Sequence, residues 1–166
     1  MRRWPELFGL ALLASPAAAA GSGGIPVVGE GALTAAAQSC VGLTADLDAD
    51  RALLNGRGWK KGSLSANGKP VDDASSRKLE FYGRDGILLM LGVEDKPSCL
   101  IMTKTKSPAE RVEGLLKAVY GREPISRAGG NIVWILDGKQ DVLLKTAAED
   151  GHQLVTIVFT SIEQAR

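Results

Sequence analysis

Six extended runs, three on either side of one well-marked helix, leave this chain few ways to fold. "KLEFY" alternates Leu79 and Phe81 against polar neighbours. "GRDG" turns the chain into "ILLMLGV", and "EDKP" turns it again into "SCLIMTKT". After the helix come "NIVWILD", "DVLLKTA" and "QLVTIVFTS", separated by "DGKQ" and "EDGH". Period-two apolar runs bounded by Gly, Asp and Pro clusters read as strands, and turns this short join antiparallel neighbours. The helix between the two groups is "SPAERVEGLLKAVYG". Its sequence predicts Ser107 as N-cap, Pro108 in the first turn, Glu110 closing a capping box and Gly121 as the stop. Val112, Leu115, Leu116 and Val119 line one face of it.

Upstream, "ALTAAAQSCVGL" places Leu33, Ala36, Ala37, Cys40 and Val41 at helical spacing. "DLDADRALLNGRGW" predicts a second short helix, with Asp48 as N-cap and Asn55-Gly56 as its end. Residues 62–76 form a polar loop of turn formers, and residues 21–31, "GSGGIPVVGEG", a flexible glycine-rich entry. The expected architecture is therefore a single α+β domain over 32–166, with helices packed on an antiparallel sheet. The two strand groups also match each other. At a constant offset of 55, residues 79–106 lie over 134–161, with Gly83 on Gly138, Leu88 on Leu143, Leu89 on Leu144 and Thr105 on Thr160. That pattern suggests a duplicated helix-plus-three-strand unit. The order of elements resembles the small tandem modules of the beta-lactamase-inhibitor-protein type, an architectural likeness that no motif carries.

The first twenty residues, "MRRWPELFGLALLASPAAAA", have the form of a secretory leader: Arg2 and Arg3, an apolar Leu7–Leu13 segment, then small residues ending at Ala20. The apolar stretch is shorter than the ~20 residues of a membrane span, so cleavage near Ala20 leaves no transmembrane segment, and the expected location is the periplasm or outside the cell. The whole chain carries 20 basic and 19 acidic residues; losing Arg2, Arg3 and Glu6 leaves them equal. A balanced charge excludes the electrostatic excess that nucleic-acid binding requires. In an oxidising compartment two cysteines pair most simply with each other, so Cys40 and Cys99 are expected to form a structural disulfide. They lack the C-x-x-C spacing of a redox motif.

Four features could carry chemistry. Asp46, Asp48 and Asp50 have the first spacings of a calcium loop, but Arg51 and Arg57 stand where that loop needs Gly and a bidentate Glu. His152, the sole histidine, sits in a turn beside Glu149 and Asp150 without a nucleophile. In "GRGWKK", Arg57, Lys60 and Lys61 surround Trp59, either as a binding surface for an anion or as solvated charges around a core anchor. In "ILLMLGV", apolar side chains fall on both parities, so Leu88 and Met90 are left over once Ile87, Leu89 and Leu91 face the helices. Leu88, Met90, Trp59, Lys60 and Lys61 form the expected interaction surface. No catalytic constellation, metal or cofactor motif stands out. The expectation is an exported, non-catalytic binding protein acting on an envelope protein or on itself. The alternative is a small envelope hydrolase using turn carboxylates such as Glu94, Asp95, Glu149 and Asp150.

Overall fold

The computed structural model describes residues 25–44, 46–62, 65–66, 69–70, 79–92 and 98–161. The expected leader, residues 1–20, and the turn acids Glu94 and Asp95 lie outside the described residues. The chain opens with β1 (Val27–Val28), α1 (Glu30–Ser39) and α2 (Leu47–Gly56). A first group of strands follows: β2 (Lys60–Gly62), β3 (Ser65–Ala66), β4 (Lys69–Pro70), β5 (Leu79–Arg84), β6 (Ile87–Gly92) and β7 (Ser98–Thr105). Then come α3 (Ala109–Tyr120), β8 (Ser126–Ala128), β9 (Asn131–Leu136), β10 (Gln140–Glu149) and β11 (His152–Ser161). The fold is α+β and dominated by one nine-stranded sheet, ordered β2-β5-β6-β7-β11-β10-β9-β8. Every pairing along that path is antiparallel; β1 adds a short parallel pairing to the far end of β7. β3 and β4 make a separate two-stranded ladder.

Hairpins are enforced by three Asp-Gly pairs. Asp85-Gly86, Asp137-Gly138 and Asp150-Gly151 all hold positive φ, the first at 50° and 78°. A two-residue hairpin turn needs both central residues in that region, which Gly adopts freely and Asp tolerates. Pairing of Arg84 with Ile87, and of Glu149 with His152, shows that the first and third are such turns. Strand order runs inward from β2 to β7 and outward again from β11 to β8, so the two meanders meet at β7 and β11.

All three helices contribute to one core, on one face of the sheet. Leu33, Ala36, Ala37, Leu54, Val112 and Leu116 pack with Ile87, Leu89, Leu91, Ile101, Val142, Leu144, Val155, Ile157 and Phe159. Trp134 lies beneath Tyr120, ring edge to face at 5.5 Å. The Cys40–Cys99 disulfide ties the end of α1 to the start of β7, with Cα atoms 6.1 Å apart and both residues buried. Beside it Gln140 Nε2 donates to the Cys40 carbonyl at 2.8 Å, closing the bottom of the core.

Several boundaries differ from the sequence pattern. The second helix is capped by Asp46, whose Oδ1 accepts from the backbone N–H groups of Asp48 and Ala49. Asp48 sits inside the helix and pairs with Arg51. The capping box at α3 does not form: Pro108 occupies the cap position, and Ser107 Oγ donates to Glu30 Oε1 instead. Glu30 is held there by a two-pronged contact from Arg111, so α1 and α3 clamp each other and take the serine away from its own helix. The entry segment is also more structured than its glycines suggest, since Val27 and Val28 pair with Lys104 and Thr105. Finally, the gapless 55-residue match does not keep faces together. Ile101 faces the helices, whereas Thr156, its counterpart at that offset, pairs with Met102 on the opposite face.

Candidate functional site

Three of the four sequence candidates dissolve once their side chains are placed. The aspartates of "DLDAD" separate: Asp46 caps a helix, Asp48 pairs with Arg51, and Asp50 turns inward to accept from Thr44 N at 2.7 Å and Thr44 Oγ1 at 3.2 Å. Among the described residues no group of three potential metal ligands converges. His152 donates locally, from Nδ1 to the Asp150 carbonyl at 2.9 Å, while Glu149 is paired with Lys104 at 3.1 Å.

The basic cluster also divides. Trp59 is only 2 % exposed and belongs to the core, which removes it from the expected surface. Burial of its large apolar body offsets more free energy than its flanking charges could recover by gathering around it. Arg57 Nη1 donates to the carbonyls of Gln38, Ser39 and Val41, capping the end of α1, and burial lowers its pKa. Strand alternation then sends Lys61 to the helix face and Lys60 to the other. Lys61 joins Arg51 and Tyr82 around Glu80. These contacts, led by Arg51, hold the Glu80 carboxyl down at about 2, and burial beside it pushes the Tyr82 phenol up to about 12. Such a saturated carboxylate fastens α2 to the edge of the sheet and has no lone pair left for substrate chemistry.

What remains is the sheet face turned away from the helices, and there the expectation for Leu88 and Met90 widens. Residues paired across neighbouring strands share a face. Phe81 pairs with Met90, Met90 with Leu100, Leu100 with Val158, Val158 with Leu143, and Leu143 with Val133. The result is one unbroken apolar row across six strands, from β5 to β9. All six side chains are partly exposed, in contrast to the buried positions that flank them along the strands, Glu80 and Ile132 excepted. A second row joins Lys60, Gly83, Leu88, Met102, Thr156, Lys145 and Asn131. A third, on the other flank, joins Leu79, Gly92, Ser98, Thr160, Asp141 and Ile135. One wet face of an antiparallel sheet normally alternates to polar residues; this one does so only at its flanks. Leu100, Val158, Leu143 and Val133 carry only apolarity at both parities as a local signal, as in Leu143-Leu144, and lining them up requires the register of strands distant in sequence. The alternation of Leu79 and Phe81 in "KLEFY" is real, but those two face away from the helices while Tyr82 enters the core.

A smaller feature sits at the opposite end of the core. Leu43, Thr44, Asp50, Leu91, Ser98, Cys99, Gln140, Phe159 and Ser161 enclose a cavity of about 10 Å³, the size that admits one water. Asp50, 1 % exposed, has no protein partner for Oδ2 among the described residues. Burial raises its pKa against the lowering effect of the Thr44 hydrogen bonds.

No helix among the described residues is long and apolar enough to cross a membrane. No family model, curated protein or solved structure matches the chain.

Proposed function

We propose that this chain is an exported, non-catalytic binding protein of the periplasm, and that the open sheet face is its protein-docking surface. The observation that carries the reading is the apolar row Phe81–Met90–Leu100–Val158–Leu143–Val133, which is contiguous and set between flanks containing Lys60, Lys145 and Asp141. An apolar centre with a polar rim is the usual anatomy of a protein interface. Export is supported by the leader pattern and by a disulfide that an oxidising compartment would preserve. The hydrolase reading gains nothing from Glu149 and Asp150, which serve an ion pair and a tight turn.

A photo-crosslinking residue at Leu100, with Lys139 in a hairpin turn as control, tests the surface in living cells. Crosslinks to protein at position 100 but not at 139 are expected, and they should disappear when Val158 is changed to Lys. Equal labelling at both positions would overturn the docking surface. Intact-mass measurement of the recovered protein should show a chain beginning near Gly21; a full-length cytoplasmic chain would overturn export.

A further inference from the structure

The two flanking rows say what fits the open face. Resting on the docking reading above, we infer that its occupant is a second copy of this chain, packed face to face about a two-fold axis that runs along the apolar row.

That operation makes each residue of the apolar row meet its own copy. It also places every residue of one flank over the residue four positions away on the same strand, because the flanks lie two residues to either side of the row. Read strand by strand, most of the opposed pairs complement each other; β9 is the exception, where Asn131 falls over Ile135. Leu79 falls over Gly83 on β5 and Met102 over Ser98 on β7, while on β6 Leu88 falls over the buried Gly92, whose open-face side Ser98 Oγ already fills. Thr156 meets Thr160 on β11, and Lys145 meets Asp141 on β10. Leu79 and Met102 find smaller partners, and the cation finds the anion, twice over by symmetry. Self-complementarity of this kind is what an isologous interface demands. At Gly83 the open face has room: a Cβ built there would have no neighbour within 4 Å.

A face-to-face two-fold with its axis along the strands between β7 and β11 does the reverse. It sets Lys145 over Leu88 and Asp141 over Gly92, burying both charges without partners, which is costly. Size agrees with the first arrangement. Six strands about 4.8 Å apart, and three rows about 6.7 Å apart, give each copy a face on the order of 500 Å², so the pair reaches the lower bound of ~1,000 Å² for a biological interface. Two sheets packed in this way would share a dry layer about 10 Å thick.

Sedimentation equilibrium of the purified protein, from nanomolar to high micromolar concentration, tests the assembly. The wild-type chain should be a dimer. Gly83→Phe has extended backbone and open space around it, so it should still unfold cooperatively, at a midpoint that no longer depends on protein concentration, while the dimer is lost. Lys145→Asp and Asp141→Lys should each weaken association by about tenfold or more, since each disturbs two symmetry-related contacts. The double exchange Lys145→Asp/Asp141→Lys should restore it. A monomer at every concentration, a dimer indifferent to Gly83→Phe, or a double exchange no better than the single changes would each overturn the inference. If the chain is monomeric yet a residue at Leu100 still crosslinks to a different protein, the second copy is wrong and the docking reading stands. If neither association nor crosslinking occurs, both fail.

Discussion

Asp50 places a carboxylate in the core with its two oxygens in unequal circumstances. Oδ1 accepts two hydrogen bonds from Thr44 and so fixes the loop between α1 and α2, while Oδ2 has no protein partner among the described residues. Burial raises the pKa of the folded form, so the folded protein holds this proton more tightly than the unfolded chain. The stability linked to that proton is present at low pH and lost as pH rises through the folded value. Asp50→Asn keeps an acceptor for Thr44 and removes the buried charge. It should therefore gain on the order of 1 kcal/mol at neutral pH, with the difference closing in acid. Urea unfolding of both proteins at neutral pH and at about pH 3 checks this; a loss of stability at neutral pH would show that the charge is doing something the packing does not reveal. None of this was legible in "DLDAD", where three aspartates at even spacing looked alike. Which one caps, which pairs and which is buried depends on helix phase and on the distant partner that each meets.

The elements were more legible than their attachments. Asp-Gly turns and period-two runs announce β5, β6, β7, β9, β10 and β11, and the amphipathic spacing of "AERVEGLLKAVY" announces α3. The edge strands β2 and β8 leave no trace in the sequence because "KKG" and "SRA" hold no apolar side chain larger than alanine and are exposed at all three positions. Edges are charged or short so as not to recruit other strands, which erases the apolar signature of a strand. How α2 is fastened was equally invisible, since Arg51 and Glu80 are far apart in sequence. Arg51 reaches Glu80 with Nε and Nη2, at 3.1 and 2.6 Å to its nearer oxygens, and Lys61 adds a contact at 2.8 Å. Glu80 is depressed to about 2, so its contribution is complete above the ordinary carboxylate range and lost as pH falls from about 4.5 toward 2. Replacing it, Glu80→Gln, should cost about 1 kcal/mol after allowance for the exposure of Arg51, and should flatten the acid limb of stability against pH. Hydrogen exchange should speed up in α2 before α3. Unchanged protection in α2 would mean that Leu54 and Trp59 hold it unaided.

For the whole molecule, pairings across long stretches of sequence decide the result. The disulfide spans 59 positions, and in the chain-entropy account closing such a loop stabilises by up to about 4 kcal/mol. Denaturant titration with and without reductant should show a loss approaching that size; an unchanged midpoint would mean the core alone keeps α1 in place. The matched halves of the sequence foretold two meanders but not how they join, because face parity in β7 and β11 is set by their mutual register. That junction also has a temporal side. β11 comes after every other strand of the sheet in the chain, yet it lies at the sheet's centre against β7. Until β11 arrives, β7 is a bare edge where the first meander ends, and neither Gln140 nor Phe159 has reached the base of α1. A chain made from its N-terminus therefore cannot finish its first half first. It must hold an apolar, strand-prone segment open until nearly all of the described chain is available, which makes folding slow and leaves the nascent chain dependent on whatever shields it in the meantime.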